Sequence, residues 1–539
     1  MGKKRTKIYL QDWLAFHPYS HPKQCDYYYL KLCNEILGTL EEHPVLQLHF
    51  NLSDVELRNL ACFISGYFED VISGPGLWKS FITQVMELYG TYLPFFEPDP
   101  EEYFPDEINL EDIHFLFWYY ISMVRYDEAN VGPHLFEVTT LSEDIFEILE
   151  REYEEAPENE RLKEVYAPPP GKDDFDALID TIRWIMLDSW LLHFGGIELD
   201  EMLGYELAEE GEEPLTDDAR EVYESDMADT YIMFSYTPLM ARQGKDWLAY
   251  LLGKEHRLFD SLRGMGEKKS GFYLYLGQEG DVRLFRHIAS ETVLRVVDFE
   301  SMPGNSIAGE SMYYGGFVKW RGKWYLLGSL IILESGYAST AAEKEHLDVR
   351  ARHLFRDRQA VLGGKLEKMH QIFLKYNSGK ALVFVESMKK AGEFIREFLL
   401  YYNESLDLPE SVKEEENELV MELELDRGPF TDTNSDSGES IPGMVFFNPD
   451  SGFETAFGYN ELIPDPDNLW YIESDSGAGR LLYSQYISGR WMHYLAEHYE
   501  LPGLSLPGEG GEETMEKNFD FILRFRKREH YYFGLASKF

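Results

Sequence analysis

The first half of the chain repeats apolar positions with the period of an α-helix. Over residues 26–263, apolar side chains recur at three- and four-residue spacing, which places them on one face of a helix. Ser53 and Glu56 have the spacing of a capping box ahead of one such run. Asn109 and Asp174 stand at the cap position of two further runs. The pattern predicts a series of helices joined by polar connectors.

The period changes from 3.6 to 2 at Gly271. The stretches FYLYLG, DVRLFRH and GGFVKWRGKWYLLGSLIIL alternate or run apolar, with short polar turns between them. Arg321, Gly322 and Lys323 form the predicted turn of the last hairpin. Helical periodicity returns over residues 341–402, where ALVFVES fits either a buried strand or a helix segment.

The last part of the chain begins with a stretch of different composition. Residues 406–442 are acidic and then rich in turn-forming residues, which predicts a linker. GMVFFNPDSGFETAFG predicts a hairpin with its turn at residues 449–452, and a helix is predicted over about 484–497. In NFDFILRFRK the apolar residues alternate with mostly polar ones, which predicts a closing strand.

Together these patterns predict an α+β protein with an α-rich N-terminal half, a small mainly β middle module, a helical segment and a C-terminal α+β domain. The predicted segments are an α-helical domain at 1–265, the β module at 271–335, the helical segment at 341–404, an acidic flexible linker at 405–440 and the α+β domain at 441–539.

The charge of the chain narrows the classes of partner. Its 50 Lys and Arg residues against 97 Asp and Glu give a formal net charge of −47. Nonspecific binding to nucleic acid depends on Lys and Arg that neutralise phosphates, so this charge disfavours a nucleic-acid partner. Because 44% of the residues are hydrophobic and 15% are aromatic, the chain has enough apolar material for sizeable cores.

The compartment predicted from the sequence is the cytoplasm. The basic opening MGKKRTKIYLQDWLAFHP is interrupted by polar residues before the apolar region of a secretory signal is complete. The longest apolar runs, Phe115–Val124 and Trp324–Leu333, are shorter than the roughly 18–20 residues of a membrane span, so no membrane association is expected. Cys25, Cys33 and Cys62 form no C-x-x-C pair and are predicted to be buried thiols.

Three strings in the chain resemble a known family: QDWLAFHPY with DYYYLKLCNEI, INLEDIHFLFWYYISM, and FFNPDSGFETAFGYNELIPDPDN. They are similar to a family of uncharacterised bacterial proteins, a domain of unknown function. The resemblance implies a cytosolic bacterial protein. It implies no activity and assigns no role to any residue.

Common catalytic and metal-binding motifs are absent from the sequence. No Gly-Lys is followed by Ser or Thr, which excludes a P-loop, and the nearest approach to a nucleophile elbow, around Ser306, has its second glycine one position too late. His493 and His498 are five apart and do not form an H-E-x-x-H zinc motif. Residues 432–443 resemble a calcium loop but lack its glycine and glutamate at the required positions. No metal site and no cofactor is predicted.

The best candidate for a ligand site is the segment 448–468, which places acceptors and acids beside aromatic residues. The candidate ligand-binding residues are Asn448, Asp450, Glu454, Asn460 and Asp465. The alternative is that two consecutive turns require this composition without any ligand. The Glu454 side chain is predicted to be an exposed hydrogen-bond acceptor.

A second candidate is the basic group on the predicted closing strand. Its members, the phosphate-binding candidates, are Arg524, Arg526, Lys527 and Arg528. They could bind phosphates next to stacking tyrosines, or they could protect a strand edge from aberrant pairing.

The leading functional expectation is an intracellular interaction protein that presents aromatic, acidic surfaces to a protein partner. It rests on the aromatic content and on the failure of the catalytic motifs. The alternatives are a metal-assisted hydrolase with dispersed carboxylates and a nucleic-acid-associated protein that uses the C-terminal basic strand. The sequence specifies no substrate, no partner identity and no oligomeric state.

Overall fold

A computed structural model describes residues 7–74, 76–126, 131–167, 174–209, 216–297, 311–333, 342, 344–356, 358–423, 441–473 and 477–531. The chain forms two compact units, residues 1–355 with 507–509, and residues 356–506 with 510–539. The five segments expected from the sequence stay a prediction as domain boundaries. The predicted α+β class, with its order of helical and β regions, is confirmed.

The first unit begins with thirteen described helices. They are α1 Leu10–Leu14, α2 Gln24–Glu42, α3 Pro44–Leu48, α4 Asp54–Ile72, α5 Leu77–Tyr89, α6 Leu110–Val124, α7 Phe136–Glu152, α8 Glu160–Tyr166, α9 Phe175–Leu187, α10 Phe194–Glu209, α11 Asp217–Phe234, α12 Gly244–Leu252 and α13 Phe259–Arg263. The capping box of Ser53 and Glu56 starts α4 as predicted, and the Asp174 side chain accepts from the Ala177 N–H at the start of α9. No described helix has the length and apolar character needed to cross a membrane.

Aromatic side chains form much of the helical core. Trp13, Trp78, Tyr67, Phe63 and Tyr119 are among its largest fully buried residues. Their rings pack in tilted and edge-to-face pairs, such as Tyr67 with Trp78 at 5.4 Å between centroids. The high aromatic content of the sequence is therefore used inside the protein.

A closed five-stranded barrel follows the helices in the same unit. Its strands are β1 Lys269–Glu279, β2 Val282–His287, β3 Val293–Val297, β4 Met312–Trp320 and β5 Lys323–Ile332, in the order β1-β2-β3-β5-β4. Neighbours pair antiparallel except β3 and β5, which pair in parallel at Val296 and Trp324. The predicted hairpin turn is confirmed, because Arg321 and Gly322 have φ of 49° and 77°, the positive values of a two-residue type I′ turn. The barrel core includes Tyr273 and Phe285. After it come a helical turn at 344–347 and helix α14, Val349–Arg352.

The second unit packs helices on a three-stranded sheet. Its helices are α15 Arg358–Tyr376, α16 Met388–Ser405, α17 Glu410–Glu422, α18 Arg480–Tyr483, α19 Gly489–His498, α20 Gly511–Lys517, α21 Phe519–Arg526 and α22 Arg528–Tyr531, with a 3₁₀ turn at Asn460–Leu462. The strands β6 Leu382–Val385, β7 Gly443–Asn448 and β8 Gly452–Phe457 pair antiparallel in that order. The ambiguous ALVFVES stretch thus contains a strand, and the predicted β7–β8 hairpin is confirmed. Phe373, Phe398 and Phe447 form a buried cluster in this unit.

The predicted closing strand is wrong, because residues 519–526 form helix α21. Alternating apolar residues at 519, 521, 523 and 525 fit a strand, but Ile522 between them is also buried. Phe521, Ile522 and Phe525 therefore form a helical face with i, i+1, i+4 spacing.

The predicted acidic linker contains a helix. Residues 410–422 form α17. Residues 424–440 lie outside the described residues, and they include most of the calcium-like sequence that begins at Asp432. Helix α17 packs against α16, where the Asn403 Nδ2 donates to the Asn417 Oδ1 at 3.0 Å. Whether the segment is cut readily by protease stays a prediction.

Candidate functional site

The first part of the predicted ligand segment forms the β7–β8 turn, whose polar side chains bind one another. The Asn448 Oδ1 accepts from the Asp450 N–H at 2.9 Å, and its Nδ2 donates to the Glu454 Oε1 at 2.6 Å. The Ser451 hydroxyl also donates to the Glu454 Oε1, at 3.0 Å. The side chains of Asn448 and Glu454 and the backbone N–H of Asp450 thus make contacts that stabilise the turn.

Asn460 and Asp465 are held in the loop that follows the hairpin. The Asn460 Nδ2 donates to the Gly443 carbonyl at 2.8 Å. Asp465 accepts from the Lys380 Nζ at 3.1 Å and the Tyr499 hydroxyl at 2.8 Å. Burial opposes ionisation of Asp465, but the N–H of Asp467, Tyr499 and Lys380 outweigh it and lower the pKa of the carboxyl. Both side chains are buried. Ligand binding at these five residues stays a prediction.

Glu454 is not the exposed acceptor expected from the sequence. Its carboxyl is largely buried, and burial raises its pKa despite hydrogen bonds from Asn448, Ser488 and Ser451. The physical reason is the pairing of β7 with β8, which turns the Glu454 side chain toward Asn448 and Ser451.

Glu454→Ala is therefore expected to lower the free energy of unfolding by about 1–3 kcal/mol, because Asn448 and Ser451 lose their shared acceptor. Gly452→Val should cost a similar amount, about 1–3 kcal/mol, because Gly452 has φ of 96°. Chemical denaturation monitored by fluorescence measures both changes, with Glu461→Ala as a partly exposed control. Unchanged stability in Glu454→Ala would contradict the structural role assigned to this carboxyl.

The four predicted phosphate-binding residues lie at the end of α21, where three of them are buried. The Lys527 Nζ donates to the carbonyl oxygens of Leu481 and Ser484 at 2.8 and 2.5 Å. The Arg524 Nε donates to the Asp520 Oδ2 at 2.8 Å. Burial lowers the pKa of Lys527 to about 7, although the charge of Glu454 opposes this shift.

The other two cations of this group also have partners within the second unit. The Arg526 guanidinium lies 4.9 Å from the centroid of the Tyr483 ring, and the half-buried Arg528 lies 3.7 Å from Glu529. These contacts weaken the hypothesis of a phosphate-binding patch, because the cations already have partners within the protein. The hypothesis also depended on a basic strand, and residues 519–526 form a helix instead.

A buried polar group that the sequence did not reveal joins α2, α4 and the loop after α1. The His17 Nε2 lies 2.7 Å from the Glu69 Oε2, and the Asp26 Oδ1 accepts from the Trp13 Nε1 at 3.0 Å. Burial alone would lower the pKa of His17, but the charge and hydrogen bond of Glu69 raise it above its usual value. Ligand atoms of His17, Asp26 and Glu69 lie within 4.8 Å of one another, a spacing that could hold a metal ion.

That group is already satisfied by hydrogen bonds. The His17 Nδ1 lies 3.0 Å from the Trp13 carbonyl, which can only accept, so the Nδ1 carries a hydrogen. The Nε2 then faces the Glu69 carboxylate, and a shared proton fits the 2.7 Å separation. The Asn159 Nδ2 donates to the other Glu69 oxygen at 2.9 Å. The arrangement is a charge-assisted pair that stabilises the fold.

Asp70 lines a small pocket in the first unit. The pocket has a volume of about 60 Å³ and is also lined by Val71, Gly74, Trp78, Lys79, Pro105 and Asp106. Asp70 accepts from the backbone N–H groups of Leu77 and Trp78 at 3.1 and 2.9 Å, at the start of α5, and from the Tyr166 hydroxyl. Burial raises the pKa of Asp70 to about 6, against these hydrogen bonds. The volume is too small for an organic ligand of ordinary size.

The helical part of the chain is similar to a described family. The model of the family named "Protein of unknown function (DUF3843)" matches residues 7–267. The matched residues are similar to this family, whose description names no function. The match contains the His17 group and Asp70, and it ends before the barrel. The resemblance seen in the sequence is thereby confirmed, although the string FFNPDSGFETAFGYNELIPDPDN lies outside the matched residues.

The other comparisons identify no relative. No curated protein matches the chain, and no solved structure matches it. Neither an activity nor a partner can therefore be transferred from a relative.

A surface that the sequence assigned to a linker lies on helix α17. Val412, Leu419, Met421 and the following Leu423 are exposed, with 54% and 62% of the surface of Leu419 and Met421 accessible. The glutamates of the helix at 410, 414, 415, 416 and 418 are also exposed. This combination of exposed apolar and acidic side chains is called the acidic helix surface below.

Proposed function

We propose that the protein is an interaction protein that binds a basic segment of another protein through the acidic helix surface. The observation that carries the proposal is the exposure of Val412 and Leu419 on one side of a helix that also exposes five glutamates. Burying such apolar side chains in an interface is favourable by about 25 cal/mol per Å² before the costs of association.

One side of helix α17 packs within the second unit, and the other side can contact a partner. Val420 is buried, and Asn417 accepts the hydrogen bond from Asn403 on α16. Val412 and Leu419 are seven residues apart and lie on the same side of the helix. A partner that covers them gains apolar contact on a face that the helix does not use for its own packing.

The glutamates determine the chemistry of the partner. Five exposed carboxylates within nine residues create a strongly negative field near the apolar side chains. Such a field speeds association with a Lys- and Arg-rich surface and repels an acidic one. The net charge of −47 acts in the same direction over a longer range.

Aromatic anchors contribute less to this proposal than the sequence suggested. All ten tryptophans are buried or half-buried, so their abundance supports the cores of the protein. Exposed tyrosines such as Tyr27 and Tyr401 are scattered among other elements. The proposal therefore depends on α17.

The double substitution Val412→Ser with Leu419→Ser is expected to remove at least 90% of the partner that co-purifies with the tagged full-length protein. Leu469→Ser, which changes a residue with 86% exposure outside α17, should leave it in place. Quantitative mass spectrometry of native purifications, at two salt concentrations, measures the effect. Equal recovery with both variants would overturn the proposal, provided that their melting temperatures match that of the unchanged protein.

The two alternative functions have weaker support. The group of His17, Asp26 and Glu69 favours a metal-assisted hydrolase, because its ligand atoms are close enough to hold a metal ion. These atoms already take part in hydrogen bonds, however, which weakens this alternative. For a nucleic-acid-associated protein, Lys527 and its neighbours offer few accessible cations, because three of the four are buried.

A further inference from the structure

A serine, a histidine and a glutamate lie next to one another at one end of the barrel. His287 ends β2, Ser290 lies in the connection to β3, and Glu345 comes from the helical turn at 344–347. The Ser290 Oγ lies 2.8 Å from the His287 Nδ1, and the His287 Nε2 lies 3.4 Å from the Glu345 Oε1. The His287 Nε2 is buried and makes no hydrogen bond among the described residues. A serine beside one nitrogen of a histidine, with a carboxylate near the other, is the set of residue types found at activated nucleophiles.

The hydrogen bonds decide which nitrogen of His287 accepts a proton. The backbone N–H of Ser290 donates to the His287 Nδ1 at 3.2 Å. The Nδ1 therefore presents its lone pair to Ser290, and in the neutral ring the Nε2 carries the hydrogen that faces Glu345. This is the tautomer that a base needs in order to take the hydroxyl proton of Ser290.

The base and its orienting group are fixed by their surroundings. His287 is fully buried, with its ring 5.1 Å from that of Tyr273 and 5.2 Å from that of Phe355. The Phe272 N–H donates to the Glu345 Oε1 at 3.1 Å. The Glu345 Oε2 is buried and has no hydrogen-bond partner among the described residues.

Gly271 on β1 allows this close approach. A Cβ at this position would lie 2.7 Å from the His287 Nε2 and 2.9 Å from the Glu345 Oε1, closer than real contacts permit. Only glycine leaves room for both side chains here.

Ser290 is reachable from solvent, whereas His287 is fully buried. Its side chain is half-buried, and the next residue, Glu291, has φ of 56°, which is unusual for a residue other than glycine. The Ser290 hydroxyl donates to the Thr292 Oγ1 at 3.0 Å, and the Ser290 Oγ accepts from the Thr292 N–H at 3.4 Å. The serine is thus placed between a base on one side and a hydrogen-bond donor on the other.

We propose that Ser290 is the nucleophile of an acyl-transfer site that takes small activated esters, with His287 as its base and Glu345 as a positioning residue. The Ser290 Oγ forms a bond to the ester carbonyl carbon while its proton moves to the His287 Nδ1. The bond to the leaving alcohol breaks, and that alcohol takes the proton from His287. Water then attacks the acyl-serine with the same base, releasing the carboxylic acid and restoring Ser290. The site is independent of the acidic helix surface.

The test uses the full-length protein with a fluorophosphonate probe and p-nitrophenyl acetate. In the probe reaction the Ser290 Oγ bonds to phosphorus, fluoride leaves, and His287 takes the proton. We expect an adduct on the peptide that contains Ser290, and at least a 100-fold loss of labelling rate in Ser290→Ala. Ser329→Ala, on an exposed serine of β5, should label at the unchanged rate.

Two further variants separate chemistry from folding. Ser290→Cys keeps a nucleophile of similar size and should react with iodoacetamide faster than the three buried cysteines of the chain. Glu345→Gln should slow probe labelling and change its pH profile, which a merely structural residue would not do. The proposal is overturned if the folded protein gives no adduct at Ser290, or if Ser290→Ala with an unchanged melting temperature is labelled as fast as the unchanged protein.

Discussion

Asp112→Ala is expected to lower the free energy of unfolding by about 4 kcal/mol, because it removes the shared acceptor of a buried network. The Asp112 carboxylate accepts from the hydroxyls of Tyr67 and Tyr103, each at 2.7 Å. It also accepts from the Trp78 Nε1 at 3.0 Å and the Asn109 Nδ2 at 3.2 Å. Alanine would leave these donors without this acceptor and open a cavity among aromatic side chains.

Urea denaturation at pH 7, followed by tryptophan fluorescence, measures this loss. Glu143→Ala provides the control, because it removes an exposed carboxylate from α7 and should change the free energy of unfolding by less than about 0.5 kcal/mol. If Asp112→Ala is no more destabilising than Glu143→Ala, Asp112 does not organise this part of the core.

The second large effect is a fall in stability as the pH rises from about 4 to 7.5. Burial raises the pKa of both Asp70 and Asp112 to about 6, despite the hydrogen bonds that oppose the shift. In the unfolded chain the pKa of an aspartate is about 3.9. The folded protein therefore binds more protons in this range, and the stabilisation is complete below the unfolded pKa and lost as the pH rises through about 6. Each group contributes on the order of 3 kcal/mol.

Repulsion within a chain of net charge −47 also opposes folding as the pH rises, so a matched variant is needed. Asp112→Asn removes one of the two titrations, and the difference in free energy of unfolding between pH 4.5 and 7.5 should be smaller in this variant by on the order of 2–3 kcal/mol. The same pH dependence in both proteins would show that Asp112 does not titrate in this range.

Local sequence signals predicted the elements that depend on neighbouring residues. Ser53 and Glu56 form their capping box within one turn of helix, and Arg321 with Gly322 determines a two-residue hairpin. Such signals act over a few residues and can be seen in the sequence. The closing segment was predicted wrongly because alternate apolar positions also occupy part of a helical face, and burial of Ile522 decided between the two.

The candidate sites depended on contacts between distant residues, which periodicity does not reveal. Asp465 is paired with Lys380, 85 residues earlier, and Glu454 is turned inward by strand pairing. The Lys527 Nζ donates to carbonyl groups of another segment. In the same way, Ser290 and His287 are close in the sequence, whereas Glu345 comes close to His287 only in the folded protein.

Photo-crosslinking from α17 tests the proposed interaction most directly. A photoreactive amino acid is placed at position 419 or, as a control, at position 469, in the full-length protein inside the cells that produce it. We expect position 419 to form a crosslink to a Lys- and Arg-rich segment of another protein and position 469 to form none. Identical adducts at both positions, or none from position 419, would contradict the proposal.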